Sequence, residues 1–403
     1  MKYAIVLCDG MADYPVEELG GATPMECAKK PNMDRLASQG EVGLVRTVEP
    51  GMKPGSDVAN LAVMGYDATQ CYTGRSPLEA ASMGIELGDD DVAMRCNLVT
   101  LSDEPEYEKK TMVDYCAGDI STAEAAELIA AVDEALGTEV FSFHAGVSYR
   151  HCLVWNNGTK EIGDLTPPHD ISGRVIGEYL NTNPAAQQLI DMMKRSEQIL
   201  RNHPVNAKRV AEGKRPATSI WLWGQGTRPQ LPNFKEKFGL TGSVVSAVDL
   251  IRGIAKCAGM RSIEVEGATG YIDTCFRAKT EAGLAALREG SDLIYLHFEA
   301  PDECGHRHET QNKIHSIELI DGEVLQPLLA GLEELGEPYR VMILPDHPTP
   351  LSLMTHVSDP VPYLIYDSTN AVESGIECLS EKTAAATGVL VEPGYRLMKR
   401  FVG

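Results

Sequence analysis

Three apolar runs that each lead into an acidic residue constrain this chain more than any other feature. They are Ala4-Ile-Val-Leu-Cys-Asp9 near the start, Leu293-Ile-Tyr-Leu-His-Phe-Glu-Ala-Pro-Asp302 in the last third, and Val341-Met-Ile-Leu-Pro-Asp346-His347. Short continuous apolar runs closed by a turn read as strands buried on both faces, as in parallel sheets covered by helices. In open parallel α/β sheets, ligands sit at the carboxyl ends of the strands. Three such strands, each bringing an acid or imidazole to that end, predict a shared metal site.

A chain of 403 residues is long enough for two domains. Helical patterning at 24–38, 249–259, 280–288 and 312–335 alternates with strand composition at 42–48, 243–248, 262–265 and 361–366. The middle has a different character. It is turn-rich, with a Ser-Thr-started, alanine-rich helix over 121–136 and a long helix over 184–201. Strand-like runs occur at 140–143, 149–155 and from Ile220. The predicted fold is therefore α/β: a mostly parallel sheet flanked by helices, made from residues 1–66 and 241–403. A second α/β or α+β domain, residues 67–240, is inserted into it.

Charge narrows the partners. With 58 acidic against 36 basic residues the net charge is −22, which disfavours nucleic acid and anionic membranes. It leaves room for a small anion in a locally basic pocket. No stretch approaches the roughly 20 apolar residues that span a bilayer. The first apolar run is too short for a signal sequence. The ten cysteines are scattered singly, without a CxxC pair. A reduced, cytoplasmic protein is expected.

The candidate metal ligands are Asp9, Asp302, His306, Asp346, His347 and His356. Carboxylates and imidazoles without thiolate suit Mn²⁺, Zn²⁺ or Mg²⁺. A catalytic ion keeps a coordination position open, so six ligands point to two ions, an arrangement suited to phosphoryl displacement. Ser56 supplies the missing nucleophile. It follows Pro54-Gly55 at the start of a helix-patterned segment, where free N–H groups favour a phosphate.

Gly55-Ser56-Asp57, Pro301-Asp302-x-x-Gly305-His306, Asp346-His347 and Thr355-His356 resemble the alkaline phosphatase superfamily. More closely, the chain resembles cofactor-independent phosphoglycerate mutases of the archaeal type. The further motifs that carry the likeness are Asp9-Gly10, Gly74-Arg-x-Pro-Leu-Glu-Ala, Arg95-Cys-Asn-Leu-Val-Thr, His169-Asp-Ile and Trp221-Leu-Trp-Gly-Gln-Gly. The resemblance implies that Asp302, His306 and His356 hold one metal, and that Asp9, Ser56, Asp346 and His347 hold the other. It implies that Ser56 takes the phosphoryl group of 3-phosphoglycerate as a phosphoserine, and that the other hydroxyl of the glycerate recovers it. Water must be kept out meanwhile, a task for the insertion acting as a lid hinged near Gly65 and Gly239.

Such a lid needs cations for carboxylate and phosphate. The candidates are Arg150, His151, His169, Arg174, Arg209 and Arg215. Arg95 and Asn97 fit either substrate or structural roles. Asn60 stands where the resembled pattern has His; an amide can hydrogen-bond but cannot act as acid or base. A metal-dependent phosphohydrolase, or a phosphotransferase with another acceptor such as homoserine, is the alternative reading. No GxxxxGK[ST] loop supports a kinase.

Overall fold

The computed structural model describes residues 1–403. They form two compact units, one of residues 1–72 and 230–403 and the other of residues 73–229. Residues 67–72 and 230–240, expected in the insertion, belong to the first unit. Two interactions hold them there: the Tyr66 hydroxyl donates to the Pro232 carbonyl (2.9 Å), and Lys237 Nζ donates to the Gly65 carbonyl (2.7 Å).

The first unit is built on an eight-stranded sheet. Its order is Leu390–Val391, Glu41–Val45, Val361–Asp367, Tyr339–Leu344, Lys2–Cys8, Leu293–Phe298, Gly242–Val245 and Arg261–Ile263. The last five strands in that order run parallel, while Val361–Asp367 is antiparallel to Tyr339–Leu344. The three acid-ended runs are thus neighbours: Lys2–Cys8 pairs with Leu293–Phe298 on one side and Tyr339–Leu344 on the other. Every residue of Lys2–Cys8 and Leu293–Phe298 is buried, the burial on both faces expected of a parallel sheet between helix layers. Because the three are parallel, their carboxyl ends meet at one edge.

Two helices depart from the expected pattern. The segment 24–38 is two helices, Pro24–Cys27 and Pro31–Ser38, because a proline disfavours helical backbone in the residue before it. The segment from 312 runs as Thr310–Leu319, a π turn over Ile320–Leu325, then Gln326–Glu334. The buried Asp321 of that π turn accepts the N–H groups of Asn32 (3.1 Å) and Met33 (2.7 Å), capping the Pro31 helix from outside.

The second unit has a five-stranded antiparallel sheet around Val92–Leu101. That strand pairs with Arg150–Trp155, with Ser219–Thr227 and, at its far end, with Met112–Asp114; Phe141–His144 adds to Arg150–Trp155. Helices Thr122–Leu136 and Gln187–Arg201 pack an apolar core against one face. The capping box of Ser121 and Glu124 starts the first of them. No helix of the structure is long and apolar enough to cross a membrane.

Candidate active site

At the shared edge the chain leaves the first strand through Asp9-Gly10. Gly10 has φ +64, and a Cβ there would lie 2.6 Å from the Asp302 Cα, so the turn needs glycine both for its backbone and for space. Asp302 is not at a strand terminus. It sits in the first turn of the short helix Ala300–His306, which follows the middle strand. His306 lies four residues on, on the same helix face.

This local geometry gathers two sets of donors. In the first, Asp302 Oδ2 is 3.3 Å from His306 Nε2, Asp302 Oδ1 is 3.4 Å from His356 Nε2, and the two imidazole nitrogens are 2.9 Å apart. In the second, His347 Nε2 is 3.7 Å from Asp9 Oδ1, 3.4 Å from Asp346 Oδ2 and 3.1 Å from Ser56 Oγ. Asp302, His347 and His356 also group closely enough to share an ion, so His347 lies between the two sets. Ser56 is the first residue of helix Ser56–Val63 and Gly55 is its cap. The hydroxyl therefore stands at the helix N-terminus without being consumed in capping it.

The donor set fits divalent cations on electrostatic grounds. Asp9, Asp302 and Asp346 are 1%, 5% and 0% exposed, and each of their ion-pair partners is an imidazole, never Lys or Arg. Asp9 Oδ1 is buried with no hydrogen-bond partner. Burial, then the charges of Asp346 and Asp302, push the Asp9 carboxyl well above the usual carboxylate range. Asp302 goes the other way: burial raises it, but hydrogen bonds from His306 and His356 outweigh this and hold it well below that range. A buried acid with an orphaned oxygen and acidic neighbours calls for a cation.

Four residues outside the predicted ligand set aim these groups. His297, inside the middle strand, places Nε2 2.9 Å from Asp9 Oδ2 and Nδ1 3.2 Å from Ser246 Oγ. Burial lowers it to about 3, so it is neutral, and giving its one N–H to Asp9 leaves Nδ1 to accept from Ser246. Asn60 donates to the Ser56 carbonyl and to Asp346 Oδ2, both at 2.8 Å, and accepts the Tyr295 hydroxyl at 2.5 Å. Its amide thus ties the Ser56 helix to Asp346, a job that calls for a donor and an acceptor rather than an acid or base. Thr349 hydrogen-bonds Asp302 Oδ1. Lys313 Nζ reaches the loops after two of the strands, at Asp13 Oδ2 (2.7 Å) and the Thr349 carbonyl (2.8 Å). Such outer partners orient ligands. His297 was the most legible of them, being a lone imidazole in an otherwise apolar strand.

The six cations proposed in the insertion divide. Arg150, His169, Arg174 and Arg215 are exposed; Arg215 pairs with Asp114 (2.7 Å) and Arg174 hydrogen-bonds the Tyr179 hydroxyl (3.1 Å). Arg209 and His151 have other work. Arg209 is 2% exposed, and each guanidinium nitrogen is engaged, by the Arg215 carbonyl, Glu124 and the Ala117 carbonyl; it is a tie between segments, not a substrate cation. His151 alternates with Arg150 along one strand and so points to the covered side of the sheet. It is 4% exposed and accepts the Gly146 N–H at Nδ1.

Burial drops His151 from its ordinary 6.5 to about 3, so it is neutral. Between those values the unfolded chain binds the proton and the folded one does not. The stability of the second unit is therefore full above pH 6.5 on this account and falls as pH drops toward 3. Denaturant titrations of wild type and His151→Gln should show a shallower acid slope in the variant. Equal slopes would remove His151 as the cause.

Comparisons with known proteins show the family. Residues 37–206 match the family model described as 2,3-bisphosphoglycerate-independent phosphoglycerate mutase. A Geobacter sulfurreducens protein named as a probable mutase of that kind is 52% identical over 399 residues, covering 99% of both chains. A Methanothrix thermoacetophila protein of the same name is 48% identical, covering both chains fully. Among solved structures, a Pyrococcus horikoshii protein aligns over 99% of this chain and 96% of its own, with a TM-score of 0.82 and 28% identity. The cofactor-independent phosphoglycerate mutase of Thermoplasma acidophilum aligns over 100% and 99%, with a TM-score of 0.68 and 25% identity. With relatives this similar along its whole length, the chain belongs to the 2,3-bisphosphoglycerate-independent phosphoglycerate mutase family.

Proposed function

We propose that the protein interconverts 3-phosphoglycerate and 2-phosphoglycerate without 2,3-bisphosphoglycerate, with Ser56 as the transient phosphoryl acceptor. The observation that supports this most is the Ser56 hydroxyl, 3.1 Å from His347 Nε2 at a helix N-terminus, among buried acids and imidazoles. Asp302, His306 and His356 would hold one divalent cation, and Asp9, Ser56, Asp346 and His347 the other. Mn²⁺ is the first choice, with Zn²⁺ or Mg²⁺ compatible with the same donors. When bound, the cations supply charge neutralisation on the phosphoryl oxygens and lower the pKa of the serine hydroxyl.

In the first half-reaction the Ser56 Oγ–P bond forms as the P–O3 bond breaks, and the proton lost by Ser56 is balanced by one gained at O3. In the second, O2 of the same glycerate attacks phosphorus, the Oγ–P bond breaks and Ser56 regains a proton. Asn60 holds the Ser56 carbonyl and Asp346 in fixed relation throughout, and the free N–H groups at the helix start receive phosphoryl oxygens. The inserted unit is proposed to keep water from the phosphoserine.

An enolase-coupled assay on 3-phosphoglycerate with Mn²⁺ and no bisphosphoglycerate should show turnover without phosphate release. Free phosphate alone, or no turnover, would overturn the reading. Mn²⁺ at about one hundred times its Kd should also stabilise the protein by about 2.7 kcal/mol for each ion bound, read as a thermal shift that excess chelator reverses. No shift would remove the cations from the account.

A further inference from the structure

Residues 348–355 join His347 to His356, and this segment is held by side chains from helices Ala300–His306 and Thr310–Leu319 and the turn between them. Lys313 pins it at the Thr349 carbonyl (2.8 Å), and His306 Nδ1 donates to the Met354 carbonyl (3.0 Å). Between these two points a third imidazole acts, that of His308. Its Nδ1 donates to the Leu351 carbonyl at 2.6 Å. The Leu351 N–H is held as well, by both carboxylate oxygens of Asp13 at 3.2 Å. Leu351 is 1% exposed, so water has little access to its carbonyl should the imidazole be removed.

His308 occupies a backbone conformation that favours glycine. Helix Ala300–His306 ends with the His308 N–H donating to the Gly305 carbonyl (3.2 Å) and the Glu309 N–H to the Cys304 carbonyl (2.9 Å). That pair of bonds is the Schellman motif, whose closing residue is left-handed and most often Gly, sometimes Asn. Here the closing residue is His308, with φ +55. A glycine would close the helix with less backbone strain but could not reach Leu351.

Met354 is also left-handed, with φ +54, and its carbonyl is the one that His306 holds. Strained backbone persists where its surroundings enforce it, and it clusters at functional sites. His308 stands two residues after His306, and Met354 stands two residues before His356. The strain thus brackets one donor set.

That set is the less firmly built of the two. Asp9, Asp346 and His347 are at most 1% exposed. The side chains of His306 and His356 are 33% and 23% exposed, and His356 lies in neither helix nor strand. Its place depends on how the segment before it is pinned.

We propose that His308 is a positioning residue for the cation site of Asp302, His306 and His356. Its imidazole gives up an easier helix end in return for a fixed Leu351, and so sets the approach of His356 to Asp302. The assignment rests on the reading that these three residues hold a cation, and it is independent of the substrate.

His308→Gly tests this, beside His308→Asn, which tolerates left-handed backbone and keeps a side-chain N–H donor. Amide hydrogen exchange on the whole metal-free protein reads the segment directly. The N–H groups of Leu353 and Met354 donate to the Pro350 carbonyl (3.0 and 2.8 Å). They should exchange about 10-fold faster in His308→Gly, the scale of one lost hydrogen bond. The thermal midpoint should stay in place, because relief of the backbone offsets the lost bond. Calorimetric titration with Mn²⁺ should show one of two sites weakened by about 10-fold to 100-fold, the scale for losing an outer partner, with His308→Asn in between. Unchanged exchange, or unchanged Mn²⁺ affinity, overturns the assignment; the latter with a fallen midpoint makes His308 only the end of its helix. Faster exchange in the variant of a protein whose wild type takes up no Mn²⁺ would sink the cation reading and leave His308 as the brace of the segment.

Discussion

Ser56→Ala should abolish phosphoryl transfer while leaving the protein folded and able to take up cations. The loss in turnover should be on the order of 10⁴-fold or more, the scale seen when a nucleophile is removed from a site whose other members stay in place. Three features make the variant clean. Ser56 Oγ contributes no capping bond to its own helix, so the helix start does not depend on it. Asn60 grips the Ser56 carbonyl rather than its side chain, so the tie to Asp346 survives. Asp9, Asp346 and His347 remain to hold an ion. The coupled assay should fall to background while the Mn²⁺-induced thermal shift persists. Retained turnover would mean that another group accepts the phosphoryl.

Lys313→Met should be the most damaging change to stability, costing about 3–5 kcal/mol. Lys313 and Asp13 have side chains 0% and 1% exposed, and their charged atoms are 2.7 Å apart. Removing the ammonium strands the Asp13 carboxylate in the interior with only the N–H groups of Tyr14 and Leu351, and frees the Thr349 carbonyl. The double variant Asp13→Asn/Lys313→Met should lose clearly less than the single one, because it removes the stranded charge. Chemical denaturation checks both. A cost below about 1 kcal/mol for the single variant would show that the pair offsets little more than its own desolvation. Activity should fall as well, since Thr349 also holds Asp302.

Much of the candidate site is legible along the chain because its acids and imidazoles are announced locally. An acid after a buried apolar run is visible whatever the run packs against, and His306 and His347 follow their acids by four residues and by one. The glycine at position 10 belongs to the same pattern. The supports are not announced. His297 reads as part of a strand, Asn60 as part of a helix and Lys313 as a surface cation on a long helix, yet all three are buried at 0% exposure. Each acquires its role from a partner more than two hundred residues away. The insertion shows the same limit. Arg150 and His151 are adjacent candidates until strand alternation sends one to the open face and the other into the core. Arg209, one of seven basic residues between Lys194 and Arg215, becomes a buried tie only because Glu124 and the Ala117 carbonyl meet it there.

By itself, then, the sequence determined that the outer segments form buried strands, that Asp9, Asp302 and Asp346 follow such strands, and that the middle of the chain has a different architecture. Hydrophobic periodicity and turn residues act over a few positions, so these properties can be read locally. Only the tertiary structure decided that the three strands are parallel neighbours in the order Tyr339–Leu344, Lys2–Cys8, Leu293–Phe298. It likewise decided that His347 lies between two sets of donors and that Asn60 and His297 brace them. Strand order and side-chain partnership are set by which distant surfaces bury each other, and no short stretch of sequence carries that information.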